Sequence, residues 1–524
     1  MTAVNRFGFK WCEVVEGAVE SALLKPPFCL NRLVGQIQKR VASMGFPRIA
    51  VHRKAAGDPP GPFDQGARRL RIVLDVAPDQ RRIEEWNRSI DAPVDMPDPE
   101  IFLWSLTEGE SIDRYWIGTA NDPADAGRVV IPPGPLAPNA HDYLQFSTIE
   151  GQGRRTGYAI SPYSTYDAIA QRDAGAEGVS AGQWLTELLV ARASSTICAD
   201  LLATTNPRIL SSQATDITNA RPYSAAQAVG VVGLYLRSKG KYPVIGPEQL
   251  VFDEHSTFLL AVEELLPSWR VWASELSQHS RATGDDTPAL LAQTVRERTI
   301  RMLRCRDQLL IASAATQTNT TADRVVEFLD YFLANLVGAF DAAARAAHLV
   351  YALPKDERRR ASWQNKQWLK KLCNANLMAL FKRGSDGYRL FEVCRILRNT
   401  VHSEGLSPIA LQEPQVAHLQ TLVRLPQEEA DDLVRLFDQL GGHDAWGLRR
   451  LGIGIGDYID AATFIERLIP MAMAVLDKAF ENMPTSTLTG IGHFRTGPGP
   501  ADNAHDSPGT RARVMLLLGL TQVS

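Results

Sequence analysis

Four polar side chains near residue 400 have the types and spacing that acid–base chemistry on a phosphate would need. They stand at positions i, i+3, i+4 and i+7: Arg395, Arg398, Asn399 and His402. A helix through this segment places all four on one face. Two guanidinium groups can hold a phosphate by forked, charge-assisted hydrogen bonds, and an imidazole can transfer a proton near neutral pH. Such a set could cut RNA without a metal ion, because the substrate supplies its own 2′-hydroxyl nucleophile.

The same four residues also have a purely structural interpretation. Arginine and histidine near a helix C-terminus are favoured by the helix dipole and can hydrogen-bond the last free carbonyl groups. We predict a helix capped by Asp386 and ending near His402, before Gly405 and Pro408. Its other positions are apolar and predicted to be buried: Phe391, Val393, Cys394, Ile396, Leu397 and Val401.

The sequence ILRNTVHSEGL, residues 396–406, resembles the Arg-Asn…His motif of HEPN-type helical domains. That superfamily contains many metal-independent ribonucleases and some inactive members that bind RNA or nucleotides. Its usual form has four to six residues between the arginine and the histidine. Here three residues separate Arg398 from His402 and six separate Arg395 from it, so the sequence leaves open which arginine is the catalytic counterpart. The resemblance covers residues 286–482.

The resemblance implies a ribonuclease that works as a homodimer, in a stress or defence role. Arg398 or Arg395 would bind the scissile phosphate, His402 would act as general base or acid, and Asn399 would orient them. The alternative is a non-catalytic RNA-binding, nucleotide-binding or scaffold protein that uses the same helix face. The sequence does not decide whether the protein is an enzyme.

A basic segment leads into the motif. Between Lys355 and Arg398 there are twelve basic and four acidic side chains, whereas the whole chain has a net charge of -3. The predicted RNA contacts are Arg358, Arg359, Arg360, Lys366, Lys370 and Lys371. Trp363 and Trp368 are interleaved with them and either stack on bases or are buried in the helical bundle.

Composition indicates a cytoplasmic protein. The chain is 45% hydrophobic and 22% charged, and its six cysteines form neither a C-x-x-C motif nor a Cys/His cluster. This pattern is typical of a reducing compartment and predicts no metal site. The N-terminus lacks an apolar signal core, and no apolar run reaches the roughly eighteen residues of a membrane helix. We therefore expect neither a membrane partner nor a cofactor.

The length predicts two or three domains in a mainly α protein. The predicted domains are a smaller mixed α/β domain over residues 1–165, a helical linker or middle domain over 180–280, a HEPN-like bundle over 286–482 and a disordered tail over 484–524. Within this tail, Met515 to Leu520 are expected to dock on a neighbouring surface. Short strand-like segments, rich in branched and aromatic residues, lie at 69–76, 101–106, 114–119, 129–131 and 158–160. They predict a sheet whose direction stays open.

Helical periodicity dominates the rest of the chain. A helix is predicted over 182–203, and a long antiparallel hairpin over 288–315 and 321–353. Helices at 363–381, 386–402 and 458–483 should cover that hairpin. Strands at 409–411 and 418–424 should pair beside the motif. The glycines Gly452, Gly454 and Gly456 follow a predicted helix over 446–451, which indicates a helix-to-helix turn.

Overall fold

In a computed structural model of the protein, the chain divides into two compact units. The first comprises Met1–Val232 and Glu413–Ala417, and the second comprises Gly233–Gln412 and His418–Ser524. The described residues are 70–75, 101–108, 126–131, 144–150, 155–160, 199–204, 207–210, 221–242, 244–245, 250–251, 253–315, 318–400, 406–411, 420–450, 456–491 and 508–520. Among them, no helix combines the length and the apolar character needed to cross a membrane.

The first unit contains a seven-stranded sheet with a parallel centre. Its strands are β1 (Leu70–Asp75), β2 (Ile101–Glu108), β3 (Ala126–Ile131), β4 (Leu144–Glu150), β5 (Arg155–Ile160), β6 (Leu201–Thr204) and β7 (Arg221–Tyr223). The strand order is β5-β4-β3-β2-β1-β6-β7. Strands β3, β2, β1, β6 and β7 run parallel, and β4 and β5 continue the sheet antiparallel at one edge. Short helix α1 (Pro207–Leu210) lies between β6 and β7 in the chain.

Strands β6 and β7 extend the sheet past Ser180, into the part of the chain that the sequence predicts to be helical. The helix predicted over 182–203 is wrong at its C-terminal end, because Leu201 to Thr204 form a strand that pairs with β1. All four residues of β6 are buried. A strand buried on both faces shows no alternation of polar and apolar residues, so periodicity gives no sign of it. The strand predicted at 114–119 lies outside the described residues.

The second unit is mostly helical and contains small sheets. Its helices, with α2 at the division between the units, are α2 (Ala225–Ser238), α3 (Glu254–Leu265), α4 (Trp269–Thr283), α5 (Thr287–Ala314), α6 (Asn319–Val350), α7 (Lys366–Lys371), α8 (Ala375–Phe381), α9 (Asp386–Thr400), α10 (Ala430–Gln439), α11 (Ala461–Glu481) and α12 (Pro508–Leu518). Its strands are β8 (Val244–Ile245), β9 (Leu250–Val251), β10 (Pro408–Leu411), β11 (Gln420–Arg424), β12 (Leu448–Arg450) and β13 (Asp457–Asp460).

Helices α5 and α6 form the predicted long hairpin. They have 28 and 32 residues, so each is over 40 Å long at about 1.5 Å per residue. The Thr318 hydroxyl accepts a hydrogen bond from the Thr321 N–H at 3.2 Å, while the Thr318 N–H donates to the Thr321 hydroxyl at 2.7 Å. This reciprocal capping starts α6 sharply. One face of α6 is fully buried and holds the centre of the core: Leu329, Phe332, Leu333, Leu336, Ala343 and Ala347.

Helices α9 and α11 cover this hairpin, as the sequence predicts. The Asp460 carboxylate caps α11, so the helix starts at Ala461, and Tyr458 belongs to strand β13 instead. The helix predicted over 363–381 is two short helices, α7 and α8. They are separated at Cys373, whose φ of 50° is incompatible with a right-handed helix. Asn365 and Asn374 each cap the helix that follows.

A four-stranded antiparallel sheet, in the order β10-β11-β13-β12, lies beside the bundle. Strands β10 and β11 are the hairpin predicted beside the motif. The helix predicted over 446–451 is wrong, because Leu448 to Arg450 form β12, which pairs with β13. The glycine-containing segment therefore joins two antiparallel strands, not two helices.

The C-terminal tail contains a docked helix, α12, in which Leu517 and Leu518 lie in the segment expected to dock. The prediction of disorder is wrong for residues 508–513 and for the short 3-10 helix over Thr485–Thr487. The Arg237 side chain donates to the carbonyl oxygen of Leu517 at 2.7 Å, and Arg306 donates to that of Leu518 at 2.8 Å. Asp307 lies between the two arginines, with its carboxylate 2.6 Å from Arg237 and 3.1 Å from Arg306. The three charged side chains are buried. The last turn of α12 thus supplies carbonyl acceptors to a buried charged cluster.

Candidate functional site

Helix α9 positions the candidate site. The Ser385 hydroxyl accepts a hydrogen bond from the Tyr388 N–H at 3.2 Å, so Ser385 is the cap and the prediction of Asp386 is wrong by one residue. Asp386 instead forms an ion pair with Arg389 at 2.8 Å in the first turn. The apolar side of the helix is buried as predicted: Phe391, Val393, Cys394, Ile396 and Leu397. The polar residues of α9 therefore lie on the side that faces away from the core.

The two arginines of the motif are not equivalent. Arg395 Nη2 lies 2.6 Å from Glu392 Oε1, and Arg395 Nε donates to Glu392 Oε2 at 3.2 Å. These hydrogen bonds raise the pKa of Arg395, and Glu392 is also hydrogen-bonded by the Gln364 side chain. Arg398 is partly buried and hydrogen-bonds the Asn399 carboxamide oxygen at 3.3 Å. It makes no ion pair with any residue that the structure describes.

Arg398 is therefore the better placed of the two to receive an anion, because a carboxylate already occupies the forked donor face of Arg395. Asn399 is exposed beside it. His402 lies outside the described residues, which resume at Leu406. Arg395, Arg398 and Asn399 thus share one face of α9, where Arg398 contacts Asn399 and Arg395 is paired with Glu392.

Asp341 of α6 lies close enough to Arg398 for their charges to interact. Burial raises the pKa of Asp341, and the positive charges of Arg345, Arg398 and Arg298 partly oppose this effect. The carboxyl group of Asp341 makes no ion pair or hydrogen bond with the residues that the structure describes. Among the described residues, the charges that act on Asp341 thus come from three different helices: Arg298 of α5, Arg345 of α6 and Arg398 of α9.

The predicted RNA contacts lie on the surface of the second unit. Arg359, Arg360, Lys366, Lys370 and Lys371 are exposed, and Arg358 is partly buried. Three of the four acidic groups in this part of the chain are paired with basic residues: Lys371 with Glu357, Arg389 with Asp386 and Arg395 with Glu392. Lys371 is thereby neutralised. The charges of Lys355 and Arg358 act on Asp285, whose pKa is lowered mainly by hydrogen bonds from Thr287.

Trp363 and Trp368 are buried, at 1% and 2% exposure. The Trp363 ring stacks on Phe381 with centroids 4.3 Å apart, and its N–H donates to the carbonyl oxygen of Phe340 at 2.8 Å. The Trp368 N–H donates to His348 Nδ1 at 3.2 Å. Of the two interpretations of these tryptophans, the structure supports burial, so neither ring is available to stack on a base.

Sequence reasoning did not find Asp341, Arg345 or Arg298. Asp341 and Arg345 have the i, i+4 spacing of neighbours on a helix face, but many surface pairs share that spacing. Arg298 lies one hundred positions before Arg398 in the chain, and only the packing of α5, α6 and α9 relates them. No group of three His, Cys, Asp or Glu side chains suited to a metal ion occurs among the described residues.

No protein-family model, curated protein or solved structure matches this chain. The resemblance of residues 396–406 to the HEPN motif therefore rests on the quoted residues alone.

Proposed function

We propose that the second unit binds RNA and cleaves it without a metal ion, with Arg398 on the scissile phosphate and His402 as the group that transfers a proton. The observation that carries this proposal is the difference in ion pairing between Arg398 and Arg395. Its guanidinium group has no carboxylate partner among the described residues, while its neighbour Arg395 is paired with Glu392. Such a partly buried guanidinium group can bind a phosphate by two parallel hydrogen bonds.

The chemistry follows from these groups. The 2′-oxygen of the substrate attacks the adjacent phosphorus, its proton passes to a base, and the bond from phosphorus to the 5′-oxygen breaks as that oxygen is protonated. Arg398 stabilises the negative charge that develops on the phosphate oxygens, Asn399 orients the guanidinium group, and His402 acts as base or acid. The partly buried Arg358 and the exposed Arg359, Arg360, Lys366 and Lys370 guide the strand electrostatically. A homodimer, as in the family that the motif resembles, would bring two such faces together.

Cleavage of a fluorescent single-stranded RNA in excess chelator tests the proposal. The unaltered protein should cut it and leave a 2′,3′-cyclic phosphate. His402→Ala and Arg398→Ala should each lower the cleavage rate by about 10²- to 10⁴-fold, because a positioned proton donor or charge is lost. Arg395→Ala is the matched control: it removes the same charge from the same helix, but its guanidinium group is already paired with Glu392.

Three results would count against this assignment. If Arg395→Ala is as damaging as His402→Ala while Arg398→Ala is active, the roles of the two arginines are reversed. If His402→Ala cuts as fast as the unaltered protein, the enzyme is rejected. If RNA binds without being cut, the second unit is a non-catalytic RNA-binding module.

A further inference from the structure

One face of α6 runs past the candidate site. Ala334, Gly338, Asp341 and Arg345 stand at i, i+4, i+7 and i+11, a spacing that keeps all four on one side of the helix. None of the four is fully buried, and Arg345 and Ala334 are exposed. The face is therefore accessible, although the opposite side of α6 forms the centre of the core.

Gly338 allows the Arg298 side chain to lie against this face. Glycine in the middle of a 32-residue helix costs roughly 0.5–1 kcal/mol relative to alanine. Here a Cβ atom at Gly338 would overlap the guanidinium group of Arg298, which crosses over from α5. Arg298 Nη1 also lies 3.5 Å from the carbonyl oxygen of Ala334. The absence of a side chain at position 338 thus makes room for the positive charge of Arg298 on the α6 face.

The charges on this face are unbalanced. Arg298, Arg345 and Arg398 each act electrostatically on the carboxyl group of Asp341. None of the three arginines has an ion pair among the described residues. Three positive groups and one carboxylate leave an excess of two positive charges. Two phosphodiester groups, each with one negative charge, would balance that excess.

We infer that Arg298 and Arg345 bind a second phosphate of the strand whose scissile phosphate is held by Arg398, so that the ligand is a single-stranded nucleic acid with at least two successive phosphodiester groups. The inference rests on the proposed function for the role of Arg398. In this inference Arg298 and Arg345 bind the second phosphate. The Asp341 carboxylate repels phosphate from the space between the two phosphate positions and so keeps them apart.

Binding of a ten-nucleotide 2′-O-methyl oligouridylate, which lacks the attacking 2′-hydroxyl, tests the inference independently of cleavage. Fluorescence anisotropy on the full chain at several KCl concentrations gives the affinity and its salt dependence. Arg298→Ala and Arg345→Ala should each weaken binding by roughly 10-fold, as expected for a lost hydrogen bond to a charged group. Each should also reduce the slope of log K against log[salt] by about 0.7.

Arg324→Ala is the matched control. Arg324 is exposed on the same helix and carries the same charge, but it lies 21 residues before Arg345, about 30 Å away along the axis. Its removal should leave the slope unchanged. A slope that falls equally in Arg324→Ala would overturn the inference, because the effect would then come from net charge alone.

Short ligands separate this inference from the proposed function. Calorimetric titration with a 2′-O-methyl dinucleotide should give similar affinities for Arg298→Ala, Arg345→Ala and the unaltered protein, because its one phosphodiester group can still occupy the position at Arg398. The trinucleotide, which has two, should distinguish the variants. Equal affinity of all three proteins for the trinucleotide would reject the second phosphate position even if RNA cleavage is intact. An affinity difference in a protein that does not cleave would support the inference and reject only the catalytic step.

Discussion

Replacing Asp330 by asparagine should stabilise the second unit near neutral pH. Asp330 lies on α6, and its Oδ1 atom is buried without a hydrogen-bond partner among the described residues. Burial raises the pKa of Asp330 to about 6. The unfolded chain has a value near 3.9, so between roughly pH 4 and pH 6 the folded state binds more protons than the unfolded state. The free energy of unfolding therefore decreases as pH rises through this window.

The size of the effect follows from the shift. Two pKa units correspond to about 3 kcal/mol for a group fully removed from water, and solvent screening of this partly exposed side chain reduces the figure to about 1–2 kcal/mol. Asparagine has nearly the same shape and no charge. Asp330→Asn should thus be close to the unaltered protein at pH 4.5 and more stable by about 1–2 kcal/mol at pH 7.5.

Urea unfolding followed by circular dichroism at 222 nm, at four pH values from 4.5 to 7.5, measures this difference. Asp323→Asn is the control, because Asp323 is exposed on the same helix. Its difference from the unaltered protein should be small over the same pH range. A stability difference for Asp330→Asn that does not grow with pH, or an asparagine variant that is less stable at pH 7.5, would refute the reasoning.

Two other changes test separate parts of the second unit. Asp307→Asn should lower the free energy of unfolding by about 3–5 kcal/mol, because Arg237 and Arg306 would stay buried without their carboxylate; urea unfolding measures it, and a loss below about 1 kcal/mol would contradict the buried network. Alanine at all of Arg358 to Arg360 should weaken RNA binding and reduce its salt slope by at most about 2 units. An unchanged slope in anisotropy titrations would remove this segment from the RNA path.

The long helices could be predicted from the sequence because their signals are local and repeated. Helices α5 and α6 each offer several turns of apolar periodicity, and threonines mark the start of α6. Strand β12 could not be predicted this way. Its three residues, Leu448 to Arg450, have side chains that suit a helix, and pairing with β13 decides their conformation.

The candidate site was predictable only in part. The face shared by Arg395, Arg398 and Asn399 follows from spacing along one helix. The ion pair between Arg395 and Glu392 is also consistent with the sequence, because the two residues stand at i and i+3 on a helix. The approach of Arg298 to Asp341 was not, since it depends on how α5 packs against α6. Sequence spacing thus indicates which residues share a helix, whereas the balance of charge at a site depends on side chains from several helices.

The docking of α12 has a consequence for how the chain is made. Arg237 and Arg306 are synthesised more than two hundred residues before Leu517 and Leu518. At 5–20 residues per second, the carbonyl groups that they bind are synthesised roughly 10–55 s later. During that interval Asp307 is available to pair with both guanidinium groups. A chain that stops short of the C-terminal turn of α12 therefore lacks the carbonyl acceptors that the two buried arginines bind.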